Sequence, residues 1–249
     1  MIHSFLLIGQ SNMAGRGFLH ETVPVNEEHI KVLRNGRWCN LHRPVHHDRH
    51  FSGVCLAESF AEKYAEKYGV DVGLIPCADG GTRLDQWAPG TILFDHAVYM
   101  TRLAQRTSTV AGVLWHQGEG DCSPSLRATY RTRFEAMMAE MRRLLDLHDI
   151  PFIVGGLGEF LPLRAKEYEQ ESANLTAVLK EMAEGNPLMG FASAKGLTAN
   201  PDNLHFNAAS LHEFGLRYFE AYEQSRDPSK VFPEKPAVDD SVRTALELL

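Results

Sequence analysis

Short apolar runs alternate with stretches of helical periodicity along most of this chain, and that alternation limits the folds open to it. The apolar runs occupy residues 2–8, 70–76, 110–115, 150–157 and 188–192. Helix-like spacing of apolar residues occurs across residues 56–68, 93–104, 130–148, 175–182 and 211–222. Strands separated by helices predict a mostly parallel sheet that is covered on both faces. Because crossovers between parallel strands are right-handed, we expect a doubly wound α/β fold, a three-layer α/β/α sandwich with five strands.

The remaining segments form two loops and a tail. Residues 14–52 contain Gly, Pro, Asn and His without clear periodicity, and residues 158–167 form a shorter segment with one proline. Long loops in a compact domain commonly build a binding or catalytic site. We assign residues 1–225 to one domain. Residues 226–249 contain three prolines and a short helical pattern, and we expect them to form a C-terminal extension packed on the outside of that domain.

Charge and composition exclude several functional classes. The formal net charge is −7 and no block of Lys and Arg occurs, so nucleic acid is not an expected partner. No run approaches the roughly 18 apolar residues of a membrane span, so no membrane association is expected. The cysteines lack the CxxC spacing of a zinc site, and we expect neither metal nor cofactor. The first residues lack the basic segment of a signal peptide, which makes a cytoplasmic location the expectation.

Polar or glycine-rich signatures follow each of the first three predicted strands. They are GQSN at residues 9–12, DGGT at residues 79–82 and HQGE at residues 116–119. In open parallel sheets, ligands bind outside the carboxyl ends of the strands. The three signatures are therefore expected to meet at one edge of the sheet, although they lie far apart in the sequence.

A serine, a histidine and an aspartate of this chain can supply the parts of an acyl-transfer triad. A serine hydroxyl is a weak nucleophile and needs a general base. We expect His205 to take the proton of Ser11, and Asp202, three residues earlier, to orient the imidazole ring. The Asp-x-x-His spacing allows both side chains to come from one loop.

The tetrahedral intermediate of acyl transfer needs hydrogen-bond donors aimed at its oxyanion. The backbone N–H of Ser11 is the first candidate. A glycine N–H, from Gly80 or Gly81, is the second, because glycine allows the backbone to approach closely. The side-chain amide of Gln117 is the third.

Four motifs together resemble one family of hydrolases. They are GQSNMAG at residues 9–15, GGT-x4-W at 80–87, W-x-QGE-x-D at 115–121 and D-x-x-HF at 202–206. The set is similar to the sialate O-acetylesterase-like branch of the SGNH/GDSL hydrolases, which includes the family 6 carbohydrate esterases and, among them, acetylxylan esterases. The resemblance spans about residues 2–222 and implies a flavodoxin-like sheet with strand order 2-1-3-4-5.

The resemblance also implies roles for single residues. Ser11 takes the position of the nucleophile, His205 that of the base and Asp202 that of the orienting acid. One of the two glycines takes the second oxyanion position, with Gly81 favoured over its neighbour. Gln117 stands where the wider superfamily has an asparagine, as is usual in this branch.

Several other residues near the motifs have open roles. Glu119 is expected to support the site, and the alternative makes it the acid partner of His205. Trp87 is a wall of the substrate site or an interior residue, and His116 is expected to be structural. The run HHDRH at residues 46–50 fits no standard metal site and is expected to be a solvated loop near the cleft. The other candidates for support or substrate contact are Gln10, Asn12 and Arg83.

These features favour a metal-independent serine esterase that removes O-acetyl groups from a carbohydrate. Acetylated xylan, sialic acid and other acetylated glycans are all compatible with the motifs. One alternative is a carbohydrate-binding protein in which the catalytic site is vestigial. A second is another short-chain acyl hydrolase, such as a thioesterase or lipase.

Overall fold

The structure is a computed structural model that describes residues 1–225, so the predicted C-terminal extension at 226–249 lies outside the described residues. The strands within this range are β1 (Ile2–Gly9), β2 (Ile30–Arg34), β3 (Arg37–Asn40), β4 (Asp71–Pro76), β5 (Thr109–His116), β6 (Phe152–Gly155) and β7 (Met189–Ala192). The helices are α1 (Ser11–Ala14), α2 (Ala57–Tyr68), α3 (Ile92–Ala104), α4 (Pro124–Ala128), α5 (Tyr130–Leu145), α6 (Leu161–Arg164), α7 (Tyr168–Glu184) and α8 (Ala208–Ser225).

All strands belong to one sheet with the order β3-β2-β4-β1-β5-β6-β7. Every neighbouring pair is parallel except β2 and β3, which are antiparallel. The five predicted strands correspond to β1, β4, β5, β6 and β7, and their order of second, first, third, fourth and fifth is confirmed. The prediction of five strands is wrong in number, because the described sheet has seven.

The two additional strands form a hairpin inside residues 14–52, a segment expected to be an irregular loop. A two-residue turn joins β2 to β3, and both of its residues have positive φ angles, 48° at Asn35 and 74° at Gly36. Such a turn matches the right-handed twist of the strands it connects, and Asn-Gly is its preferred sequence. The hairpin extends the sheet at the β4 edge and leaves residues 41–56 as the loop that reaches the site.

The central strands are buried because helices cover both faces of the sheet. Helix α2 packs against α8, and α5 packs against both α3 and α7. On the α2 and α8 side, Phe5 of β1 makes edge-to-face contacts with Phe60 and Tyr222. On the other side, Trp115 of β5 packs against Phe134. Each such buried ring contributes about 1.5–3 kcal/mol relative to an exposed one.

Most predicted helices are present with shifted ends. The stripe predicted at 130–148 ends at Leu145, since Asp146 adopts a left-handed conformation with φ of 56°. The segment 158–167 contains the one-turn helix α6. Within residues 1–225, no helix combines the length and apolar character needed to cross a bilayer.

Candidate active site

The end of β1 fixes the position of Ser11. Gly9 has a φ of 126°, and a Cβ atom built on it would lie 2.1 Å from the backbone oxygen of His116. Only glycine fits this close approach between β1 and β5. The chain then turns directly into α1, whose first residue is Ser11. The nucleophile candidate is therefore held at the carboxyl edge of the central strands.

Ser11, His205 and Asp202 form a continuous hydrogen-bonded relay. The Oγ of Ser11 lies 3.0 Å from Nε2 of His205, and Nδ1 of the same ring lies 2.6 Å from Oδ2 of Asp202. Because Asp202 accepts from Nδ1–H, Nε2 is left as the acceptor for the serine hydroxyl. The structure thus brings together the three residues that the sequence analysis predicted as a triad, although 194 positions separate Ser11 from His205.

A local turn holds Asp202 in place. Its Oδ1 accepts the backbone N–H of Leu204 at 2.9 Å and that of His205 at 3.0 Å. Partial burial raises the pKa of Asp202, but these two bonds and the contact with the His205 ring outweigh burial and leave the pKa below its ordinary value. The lowered pKa keeps the carboxylate ionised, so it offers the imidazole ring a negatively charged partner.

Asn12 connects the nucleophile segment to the loop that carries the base. Its Oδ1 accepts the backbone N–H of Phe206 at 3.1 Å, and its Nδ2 donates to the backbone oxygen of Leu204 at 3.2 Å. These two bonds bracket His205 on both sides. The same Nδ2 donates to Oε1 of Glu119 at 2.5 Å. Asn12 is therefore placed as a positioning residue and not as a substrate contact.

The second glycine signature lies against the nucleophile. A Cβ built on Gly80 would lie 3.5 Å from Cβ of Ser11. The N–H of Gly80 already donates to Oδ2 of Asp48 at 2.8 Å. No hydrogen bond among the described residues uses the N–H of Gly81 or of Ser11. This geometry favours Gly81, with Ser11, as the pair of backbone donors.

Gln117 does not occupy the oxyanion position that the sequence analysis predicted. Its side chain is fully buried, and its amide donates to Oδ2 of Asp121 at 2.7 Å and to the backbone oxygen of Thr82 at 3.3 Å. Its Oε1 accepts the hydroxyl of Tyr130 at 3.0 Å. Both amide hydrogens are thereby used inside the protein. Gln117 instead connects the third signature to the glycine signature through its bond to Thr82. Asp121 adds a second connection to the same segment by accepting the N–H of Leu84.

Glu119 contacts Asn12 and His116, and its contacts favour the supporting role over that of an acid partner for His205. Its Oε1 accepts from Asn12 and lies 3.6 Å from Nε2 of His116, whereas the ring of His205 is bonded to Asp202. Complete burial raises the pKa of Glu119, but contact with His116 and the amide of Asn12 outweighs burial and leaves the pKa below its ordinary value. Gln10 accepts the N–H of Gly118 at 3.4 Å, and both Gln10 and Glu119 line the cleft in front of the serine.

Trp87 and Arg83 lie away from the reacting groups. Trp87 is fully buried, donates to the hydroxyl of Thr82 at 3.1 Å and packs edge-to-face on Trp115, so it is an interior residue that supports the glycine loop. Arg83 is exposed, pairs with Asp85 at 3.1 Å and does not line the cleft. Trp87 therefore does not form a wall of the triad site.

The segment 46–50 is a loop near the cleft, as expected, and His47, Arg49 and His50 are exposed, but His46 and the side chain of Asp48 are buried. Asp48 and Arg16 form a buried ion pair at 2.6 Å, with each side chain only 4% exposed. Burial lowers the pKa of His46 to about 3, and that residue is almost completely buried. Arg49 extends toward the second signature, where it donates to Oδ1 of Asp79 and the backbone oxygen of Gly80. Within residues 1–225, no group of three His, Cys, Asp or Glu side chains is arranged to hold a metal ion.

The cleft at the triad, here called the triad cleft, has a volume of about 360 Å³. Among the residues that line it are Ser11, Gly80, Gly81, Glu119, Tyr168 and His205. Arg16, Arg49 and Phe51 also line this cleft. Arg49 belongs to the run at 46–50 that was expected near the cleft, whereas Arg16 and Phe51 were not among the predicted site residues. All three come from the long segment between α1 and α2, which was expected to contribute to a site, and the fold shows which of its residues reach the cleft.

Comparisons with known proteins agree with this arrangement. A family model for carbohydrate esterases of the sialic acid-specific acetylesterase type matches residues 1–224. A probable carbohydrate esterase from Arabidopsis thaliana is 28% identical over 245 residues, which cover 88% of this chain and 89% of that protein.

Solved structures extend the likeness to the fold. An Arabidopsis thaliana protein superposes with a TM-score of 0.78 at 26% identity, covering 89% of this chain and 97% of the other. NanS has a TM-score of 0.69 at 18% identity, covering 90% and 97%. A carbohydrate acetylesterase from Xanthomonas citri has a TM-score of 0.64 at 19% identity, covering 89% and 57%. The last two likenesses show a shared fold.

Proposed function

The chain belongs to the carbohydrate esterase family of sialic acid-specific acetylesterases, and we propose that it is a serine esterase that removes O-acetyl groups from a carbohydrate. The observation that carries the mechanism is the relay from Ser11 through His205 to Asp202, with contacts of 3.0 and 2.6 Å. This is the geometry that general-base activation of a serine requires.

The first half of the reaction acylates the serine. Oγ of Ser11 attacks the carbonyl carbon of the acetyl ester while its proton passes to Nε2 of His205. The tetrahedral intermediate then collapses, the bond between the carbonyl carbon and the sugar oxygen breaks, and the imidazolium returns its proton to that oxygen. The sugar leaves with a free hydroxyl group, and the acetyl group remains on Ser11. Asp202 stabilises the imidazolium throughout and stays ionised.

The second half hydrolyses the acetyl-enzyme. A water molecule gives a proton to Nε2 of His205 as its oxygen attacks the acetyl carbon. The second tetrahedral intermediate expels Oγ of Ser11, which takes the proton back, and acetate leaves. In this proposal, the oxyanion of each intermediate accepts hydrogen bonds from the backbone N–H groups of Ser11 and Gly81. Removal of one such donor typically costs about 10²–10³ in kcat.

Hydrolysis of p-nitrophenyl acetate by the wild type and by Ser11→Ala tests the mechanism. We expect kcat to fall by about 10³-fold or more in the variant. Intact mass after treatment with an organophosphonate should show one adduct in the wild type and none in Ser11→Ala. Undiminished turnover in the variant would exclude Ser11 as the nucleophile.

A series of p-nitrophenyl esters of increasing chain length separates the acetylesterase from other acyl hydrolases. Highest activity on the acetyl ester agrees with the proposal, whereas highest activity on the octanoyl ester favours a lipase or thioesterase. Release of acetate from acetylated xylan and from an O-acetylated sialic acid, measured in parallel, then identifies the carbohydrate.

A further inference from the structure

A second cleft adjoins the triad cleft and shares part of its wall. Its volume is about 530 Å³, and Arg16, Phe51 and His205 line both clefts. We call it the side cleft, and its other lining residues include Phe18, Leu19, His20, His50 and Asn200. Because the side cleft reaches His205, a molecule whose ester group lies at Ser11 can extend from the triad cleft into the side cleft.

Apolar side chains are exposed in the side cleft. Phe18 is 41% exposed and Phe51 is 56% exposed, and Leu19 beside them is also exposed. The segments that carry the two rings are joined by an antiparallel bridge between Gly17 and Val54, with the N–H of Val54 donating to Gly17 at 2.9 Å. Exposed apolar groups that cluster beside a catalytic residue mark a binding surface and not a random feature of the surface.

The ring of Phe51 is held in place before any ligand binds. The guanidinium carbon of Arg16 lies 5.2 Å from the centre of the Phe51 ring. Arg16 is in turn fixed by its buried ion pair with Asp48. His50 contacts the same ring edge-to-face, with 4.9 Å between ring centres. A surface that is already ordered loses little conformational entropy on binding, which favours affinity.

Polar groups that line the side cleft favour a sugar over an acyl chain as its ligand. The exposed imidazole rings of His20 and His50 line the side cleft beside Phe18 and Phe51 and present nitrogen atoms that can hydrogen-bond to a ligand. A pyranose ring combines an apolar C–H face, which stacks on an aromatic ring, with hydroxyl groups along its rim. A fatty acyl chain would cover these polar groups without offering them a partner, which costs free energy.

We propose that the side cleft is a subsite for a pyranose ring next to the acetylated one, so that the substrate is an acetylated oligosaccharide or a longer glycan. Phe51 and Phe18 supply the stacking surfaces in this proposal. The inference rests on the proposed esterase function, because it assigns the ester group of the same molecule to Ser11. It predicts that a disaccharide ester is a better substrate than the corresponding monosaccharide ester.

Acetate release from a mono-O-acetylated xylose and from a mono-O-acetylated xylobiose tests the subsite, with p-nitrophenyl acetate as a reference that has no sugar ring. We expect the wild type to have a higher kcat/KM for the disaccharide than for the monosaccharide. Phe51→Ala and Phe18→Ala should each lower that ratio by about tenfold through loss of stacking area. Phe51→Leu keeps an apolar side chain without a flat face and should also lower the ratio.

Tyr99→Ala is the matched control, since Tyr99 is an aromatic residue of α3 that is 68% exposed and lies in neither cleft. It should keep the wild-type ratio. An equal kcat/KM for both sugar esters in the wild type, or an equal loss in Tyr99→Ala, would overturn the subsite and leave the esterase intact. Failure to hydrolyse even p-nitrophenyl acetate would instead overturn the proposed function, and the subsite with it.

Discussion

Replacing Asn12 by alanine tests two effects that can be measured separately: the positioning of His205, the proposed base, and the stability of the fold. The side chain holds the backbone on both sides of His205 through Leu204 and Phe206, and it donates to the buried carboxylate of Glu119. Each neutral hydrogen bond is worth about 1 kcal/mol, and the bond to the carboxylate about 1.5–3 kcal/mol. Because these terms share one side chain and do not add fully, we expect a loss of about 3 kcal/mol in the free energy of unfolding.

The same change should impair catalysis at temperatures where the variant is still folded. Without the amide, the loop of His205 loses both of its side-chain hydrogen bonds to the residue that follows the nucleophile. A displacement of the base by about 1 Å costs on the order of 10²-fold in rate. We therefore expect kcat for p-nitrophenyl acetate to fall by about 10²-fold with a smaller change in KM. The rate at which an organophosphonate labels Ser11 should fall in parallel, since both reactions use the same base.

Urea denaturation and steady-state kinetics on the same preparations check both expectations. Thr101→Ala is the control, because Thr101 is a buried residue of α3 whose hydroxyl donates to the backbone oxygen of Ala97 at 2.7 Å, far from the site. It should lose about 1 kcal/mol of stability and keep its kcat. A destabilised Asn12→Ala protein with wild-type kcat and wild-type labelling would refute the positioning role.

Three further changes test other parts of the site. Asp202→Asn should lower kcat by about 10²–10⁴-fold. Because the pKa of Asp202 is lowered in the folded state, its carboxylate should stabilise the fold above the unfolded-state pKa, and this stabilisation should disappear as the pH falls through the folded-state pKa. Unfolding curves of the wild type and the variant at several pH values check this dependence. Asp48→Ala leaves Arg16 unpaired and buried, and should cost about 3–5 kcal/mol in denaturant unfolding. Gln117→Leu removes the amide that donates to Asp121 and should cost about 1–3 kcal/mol, measured in the same way.

The central strands and the meeting of their polar ends were predictable from local patterns and one topological rule, whereas the order of the strands was implied by the family resemblance. Apolar runs identified the strands, and the rule that ligands lie at the carboxyl ends of parallel strands brought Ser11 close to the glycine signature. The hairpin of β2 and β3 was also readable. Asn35 and Gly36 between two short runs are a strong hairpin signal, and it was missed because the surrounding segment lacks clear alternation.

The outcome for Gln117 shows a limit of sequence reasoning. The sequence places an amide directly after β5, but it does not determine the direction in which that amide points. Its direction depends on Asp121 and Tyr130, which offer an acceptor and a donor inside the protein. The roles of Arg16 and Phe51 were equally hidden, because their contact joins two loop positions 35 residues apart through packing alone.

The connection through Asn12 gives a physical reason for the pairing of the first and last motifs. In the proposed mechanism, a nucleophile on a short helix and a base on a distant loop must keep hydrogen-bond contact, although no strand or long helix connects them. Asn12 follows Ser11 directly, and its amide both accepts from and donates to the backbone around His205. The carboxamide of Asn offers a donor and an acceptor on two separate atoms without charge, and the longer Gln would push the loop away. The Ser-Asn and Asp-x-x-His-Phe motifs are therefore held together by the hydrogen bonds of Asn12.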